Sequence, residues 1–335
     1  MLISSSKEMK KVIAFAERIA KFPVNVLILG ETGSGKELIA RHIHKTSKSV
    51  GKFVSINCTA VPHELLESEL FGYNKGAFTG AYTAKKGIML EARGGSLLLD
   101  EIGDMPLNLQ PKLLRVLDNK RFTPLGSTES IDFNARIIAT TNKSESLLDE
   151  KVFRPDLYFR LSTTIINIPP LRERPNDIIS LTNYFLGKIQ EEFGLKSFPM
   201  IKSSKIYRLL LKYTWPGNIR ELQNVLKRSI IKGNGILKPE ILANTINETP
   251  IILHSNKHLK TNGIFIWDVN KNGTNIKKAK SCIEEYIINY LVNYIKNVER
   301  KKILKKDLAR RLGISITTLL NKLDTKETKE KENKK

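Results

Sequence analysis

One stretch constrains this chain more than any other: a short apolar run that ends in a glycine-rich turn. Residues 24–29, VNVLIL, are apolar apart from Asn25 and read as a buried strand bounded by glycine. Next comes Gly30-Glu31-Thr32-Gly33-Ser34-Gly35-Lys36-Glu37, which has the P-loop spacing G-x-x-x-x-G-K. Glycines let backbone N–H groups close on a phosphate chain, and a helix starting near Gly35 turns its positive end toward it. Lys36 supplies a point charge for the outer phosphates. Glu37 stands where Ser or Thr usually provides a magnesium ligand. A plain glycine-rich turn is the alternative. The strand before it and the amphipathic KELIARHIHK after it favour nucleotide binding.

Ser96-Leu97-Leu98-Leu99-Asp100-Glu101 is an apolar run ending in two carboxylates. A strand beside a P-loop ends this way when its first acid helps to hold magnesium, here Asp100 through water. The second acid, Glu101, can orient or deprotonate an attacking water. Phe53-Val54-Ser55-Ile56-Asn57 reads as another strand, with Asn57 either facing the nucleotide or forming a turn. Residues 135–142, ARIIATTN, form a further apolar run with a polar end. Residues 6–21 have helical spacing, with Ser6 as N-cap and Glu8 in the first turn, and 109–118 form a short helix. The alternation predicts an α/β fold with a largely parallel sheet and helices on both faces. Ligand then binds at the carboxyl ends of the strands, where Gly30, Asp100 and Thr141 converge.

Gly76-Ala77-Phe78-Thr79-Gly80-Ala81 places one aromatic among small residues. It is either a plain surface turn or a loop whose exposed apolar tip touches a partner. After the proline-punctuated stretch 168–175, strand signals give way to helices at 177–193, 203–213 and 219–232. Residues 236–275 read as a linker. Residues 276–298 share one apolar helical face, and 305–323 resemble a helix-turn-helix with Gly313 at the turn and Ser315 as N-cap. The charged end, 326–335, is expected to be disordered.

The net charge is +22 over 335 residues, and 271–335 carry 18 Lys/Arg against 8 Asp/Glu. Such a basic end suits nucleic acid, though a lysine- and isoleucine-rich coding bias gives the same signal. No apolar run reaches membrane-spanning length, no signal peptide is visible, and the cysteines, Cys58 and Cys282, follow no metal spacing. A cytoplasmic protein with no membrane partner is expected.

Residues 4–232 resemble the AAA+ domain of sigma-54-dependent transcriptional activators, the bacterial enhancer-binding proteins. The motifs are GETGSGKE, ELFGYNKGAFTGA, GGSLLLDEIGDMP, RIIATTN, FRPDLYFRL, PPLRERPNDI and WPGNIRELQN. In that family Glu after the P-loop lysine is usual, which accounts for Glu37. The resemblance implies an AAA+ core at 1–170, a helical lid at 171–235 and a helix-turn-helix at 276–325. It implies an ATPase with ATP and Mg2+ as cofactors, assembling into a ring, commonly a hexamer. It assigns to the nucleotide site the P-loop, Thr141 and Asn142 as first sensor, and Arg220 as second. Ala92, Arg93, Gly94, Gly95, Ser96, Leu97, Leu98 and Leu99, leading into the acids, are assigned there too. Asn57 would contact Glu101 and gate it. Arg154 and Arg160 would be arginine fingers reaching a neighbour's site. Gly76 to Ala81, with Phe78 and Thr79 at their centre, would touch sigma-54 RNA polymerase and drive promoter opening.

The helix-turn-helix matches less closely: Ile316, Leu320 and Asn321 stand where the family often has Arg, Tyr and Arg. Contacts to DNA through Ser315, Thr317, Thr318 and Lys322 are therefore expected to be weak or of low specificity. This sequence shows no regulatory domain ahead of the core, and the expectation is either a free-standing protein or one whose receiver or sensor domain was lost or excluded. Two rivals are another AAA+ motor, such as a helicase loader or chelatase subunit, and a DNA-binding regulator with a decayed ATPase. GAFTGA argues against the first, and the intact Lys36, Asp100, Glu101, Arg154 and Arg160 against the second.

Overall fold

The architecture follows from runs whose apolar residues alternate between two faces. The computed structural model describes residues 3–143, 147, 149–195 and 204–248. Helix α1 (Lys7–Ala20) opens it, capped by the Ser6 hydroxyl, which accepts from Met9 N at 3.2 Å. Then come β1 (Val26–Leu29), α2 (Lys36–Thr46), β2 (Phe53–Asn57) and α3 (His63–Phe71). A short pair, β3 (Gly72–Tyr73) and β4 (Lys85–Lys86), closes the base of the loop that carries Phe78. α4 (Ile88–Glu91) leads into β5 (Ser96–Asp100) and α5 (Gln110–Asn119). A second small pair, β6 (Arg121–Phe122) and β7 (Ile131–Asp132), precedes β8 (Arg136–Thr141), α6 (Pro155–Leu161) and β9 (Thr164–Asn167).

The main sheet has the order β2-β5-β8-β1-β9, and every pairing in it is parallel. Its central strands are buried on both faces, as parallel sheets require. Leu27, Leu97, Leu99, Ile137 and Ala139 point to one face, against α3, α5 and α6. Val26, Ile28, Leu98 and Ile138 point to the other, against α1 and α2. That alternation decides which polar residues meet at the strand ends. β9 was not expected, because its TIIN is short and runs directly into Ile168-Pro169. Burial of Ile166 and pairing with β1 stabilise it.

Beyond Asn167 the chain is helical: α7 (Pro175–Phe193), α8 (Ser204–Lys212), α9 (Asn218–Lys232) and α10 (Pro239–Asn247). Trp215 sits at the centre of their core, fully buried, its Nε1 donating to Leu210 O at 2.8 Å and its ring edge-on to Tyr213 at 5.0 Å. α10 corrects the linker expected at 236–275. Its run has too few apolar residues to show a period, but Leu242 and Ile246 bury in this core and hold it helical. Residues 249–335, with the remainder of that linker, the helix-turn-helix and Ser315, Thr317, Thr318 and Lys322, lie outside the described residues. Among the described residues no helix is long and apolar enough to cross a membrane.

Candidate functional site

The P-loop turns sharply between β1 and α2 because two of its residues adopt the left-handed region that favours glycine: Gly33 at φ 75° and Gly35 at φ 104°. Gly35 ends the loop as the N-cap of α2, and no side chain caps that first turn, which leaves its N–H groups to an anion. Ser34 Oγ is buried and unpartnered. A Cβ on Gly30 would come within 3.0 Å of it, so the loop has room only for bare backbone. The Lys36 ammonium is buried, bonded to Gly30 O at 2.9 Å and 3.4 Å from Glu101 Oε1. A loop of N–H groups with a buried cation at its centre fits a phosphate chain.

The acids come from the adjoining strand end. Register places Asn57 of β2 directly beside Asp100 of β5. Asn57 Nδ2 donates to Asp100 Oδ2 at 3.1 Å, so the expected contact of Asn57 with Glu101 is corrected. Glu101 lies one residue past the strand in the left-handed region, φ 52° and ψ 49°, which carries its carboxylate across to Lys36. Glu101 Oε2 also accepts from Asn142 N at 3.1 Å. A non-glycine residue in this conformation is sparsely populated and concentrates at functional sites. Asp100 keeps free lone pairs after its two bonds, which suits a magnesium ion held through water and shared with phosphates. Among the described residues there is no group of three or more His, Cys, Asp and Glu that could hold a metal ion.

The two sensor residues separate. Asn142 joins the site, its Nδ2 donating to Thr32 Oγ1 at 2.7 Å. Thr141 does not: it points to the α3/α5 face, where its hydroxyl accepts from Lys143 N at 3.0 Å. The neighbouring Thr140, passed over in the sequence, points to the α2 face and bonds Asp100 instead. Ala92 to Gly95 are a second correction. They lie at the amino end of β5, where a Cβ on Gly95 would strike Lys52 O at the start of β2, and Leu97, Leu98 and Leu99 are buried in the core. Strand rise alone separates Gly95 from Asp100 by roughly 16 Å, so this stretch supports the acids without touching phosphate.

The lid closes over the loop through residues that motif reading missed. Arg172 is bidentate to Glu31 at 2.9 and 2.7 Å. Asn218, at the start of α9, donates to Glu31 Oε2 and Thr32 O, both at 3.1 Å. Buried Arg174 donates to Ser34 O at 2.7 Å. A Cβ on Gly33 would meet Gly217 O at 2.5 Å and Arg220 Cβ at 3.2 Å, so Arg220 does stand at the P-loop. The signal was the spacing of Arg172 and Arg174 in a proline-bounded turn, which reads as a boundary until the lid is in place.

Arg154 is the N-cap of α6 and Arg160 lies in its last turn, and both are exposed. Arg154 is bidentate to Asp156, and Arg160 Nε is 2.6 Å from Asp118 Oδ1. Arg160 O accepts from Asn25 Nδ2 at the amino end of β1, and Gly30 lies past its carboxyl end. The loop with Phe78 projects elsewhere again. Gly76 and Gly80 have φ of 83° and 102° with open space where side chains would stand. Phe78 is 44% exposed and leans edge-on against Tyr73, and Thr79 is exposed at the tip.

Residues 2–167 match the Sigma-54 interaction domain family, and residues 172–257 match the AAA+ ATPase lid domain family. The chain is 46% identical over 233 residues to the sigma54-dependent transcriptional activator SfnR of Pseudomonas putida, covering 69% of this chain and 63% of the relative. It is 45% identical over 255 residues to the Nif-specific regulatory protein of Azotobacter vinelandii, covering 75% and 48%. The chain thus spans less than two thirds of the length of these curated relatives. Its fold matches the crystal structure of NtrX from Brucella abortus in complex with ADP, with a TM-score of 0.67, 29% identity and coverage of 97% of this chain and 68% of that one.

Proposed function

The chain belongs to the family that joins a Sigma-54 interaction domain to an AAA+ ATPase lid, and from that premise we propose that it hydrolyses ATP to remodel sigma-54 RNA polymerase at promoters. One observation carries the reading. Lys36, Asp100, Glu101 and Asn142 meet at the carboxyl ends of the central strands, while Phe78 and Thr79 stand exposed on a loop with no part in that cluster.

Bound ATP with Mg2+ supplies the phosphoryl group and a metal that neutralises its charge. Lys36 then exchanges its carbonyl and Glu101 partners for phosphate oxygens. That exchange releases the Glu101 carboxylate to orient a water and take its proton. Asp100, gripped by Asn57, would hold metal-bound water, and Asn142 links Thr32 of the P-loop to Glu101. Arg220, beside Gly33 of the P-loop, would reach the phosphates from the lid.

Arg160 sits at the opposite end of β1 from its own P-loop, so a role as an arginine finger requires a neighbouring copy, in a ring that we take to be a hexamer. Residues 276–325 are assigned to DNA binding on sequence alone. Their cations suit phosphates better than base edges, so weak, salt-sensitive binding follows. A cytoplasmic location accords with a partner that transcribes.

The test is turnover against concentration. Specific activity should rise as protein is concentrated. Arg160→Ala should lower turnover about 10³-fold or more and leave affinity for a fluorescent ADP analogue unchanged. Equal turnover per chain at all concentrations contradicts ring catalysis.

A further inference from the structure

Thr140 is fully buried at the carboxyl end of β8. β5 and β8 run in register, with Leu99 beside Ala139, so the next pair along is Asp100 and Thr140. Both point to the α2 face, as Leu98 and Ile138 do two residues earlier. The Thr140 hydroxyl donates to Asp100 Oδ1 and accepts from Glu101 N at 3.3 Å. One oxygen atom therefore touches both consecutive acids. From the other flank Asn57 holds Asp100 Oδ2, so the carboxylate is fixed between β2 and β8. A buried threonine that merely satisfied itself would take a local backbone partner, as Thr141 does with Lys143. The left-handed turn at Glu101 also needs its surroundings to hold it, and the bond from its N–H to Thr140 is one of the groups that do.

We propose that Thr140 is a positioning residue for hydrolysis: its hydroxyl sets the orientation of Asp100 toward metal-bound water and the turn that presents Glu101. The inference rests on the ATPase reading above. It predicts a defect confined to the metal and to turnover, because Lys36 and the P-loop are untouched.

Three variants test it. Thr140→Val keeps the shape and removes the hydroxyl, Thr140→Ala removes both, and Thr140→Ser keeps the hydroxyl. Removing a group that orients a metal-site carboxylate typically costs about 10–100-fold in affinity or activity. For the valine and alanine variants, kcat should fall and the Mg2+ concentration for half-maximal activity should rise by about that factor. Affinity for a fluorescent ADP analogue in EDTA should stay within about twofold of the parent, while its enhancement by Mg2+ shrinks. Thr140→Ser should restore every readout. Parental kcat and Mg2+ dependence in Thr140→Val overturn the inference, as does Thr140→Ser failing as badly as Thr140→Val. Loss of folding in both the valine and alanine variants also overturns it, because the hydroxyl then serves stability alone. If the parent itself does not turn over, the ATPase reading fails, and the Mg2+ enhancement of ADP-analogue binding still decides the role of Thr140.

Discussion

Asp177 shows how one buried carboxylate ties distant parts of the chain together. It accepts from Ser5 N at 2.6 Å, Ser6 N at 2.8 Å and Ser6 Oγ at 3.0 Å, and lies 3.8 Å from the Arg174 guanidinium. Burial pulls Arg174 below its ordinary pKa, and Asp177 opposes that pull. Removing one partner of a buried pair leaves the other charge uncompensated, at a cost of about 3–5 kcal/mol. Asp177→Ala should therefore lower the unfolding free energy by about that much in a denaturant titration, and a loss below about 1 kcal/mol would contradict the account. Cys58 makes a different point. Burial, then the nearby Asp100, Asp104 and Glu101, push its thiol up to about 12. It stays neutral at physiological pH and should resist iodoacetamide at pH 8 until the protein unfolds. The sign for stability follows. Between about 9 and about 12 the unfolded thiol has lost its proton and the folded one has not, so stability falls as pH rises through that window.

At the scale of elements, what was legible depended on whether a signal was local. The P-loop, the paired acids and the GAFTGA loop are contiguous strings, and the sequence placed them on the right elements. The sheet's parallel character followed from alternation. Thr140 was missed because RIIATTN names two threonines and gives no reason to choose. The choice lies in the period of two, which puts Thr140 with Ile138 on the α2 face and turns Thr141 away. Arg172 and Asn218 were missed for a physical reason: their partner Glu31 is far away in sequence, and only the folded lid brings them together. α10 and β9 are too short to carry a period of their own and depend on tertiary burial. The loop between β3 and β4 yields a prediction at this scale. Thr79 makes no contact with the Lys36–Glu101 cluster, so Thr79→Ala should retain ATPase within about twofold and fail to bind sigma-54 in the presence of ADP and aluminium fluoride. Full sigma-54 binding by this variant would remove the loop from the output role.

Across the whole molecule, two features stand apart that the proposed function must join. The nucleotide cluster closes under the lid, and the Phe78–Thr79 tip projects from a separate hairpin base formed by Gly72–Tyr73 and Lys85–Lys86. Arg154 and Arg160 are paired with Asp156 and Asp118 within one chain, in exposed, solvent-screened ion pairs of the kind that contribute little, so under the proposed ring a neighbour's phosphate would displace them readily. Under the proposed function, ring formation, hydrolysis and output are three readings of one cycle. The measurement that joins them is open-complex formation on a sigma-54 promoter by sigma-54 RNA polymerase, with purified chain and ATP. The account expects opening that requires ATP hydrolysis and is abolished by Glu101→Gln. Opening that proceeds equally with a non-hydrolysable analogue, or vigorous ATPase with no opening at all, would contradict it.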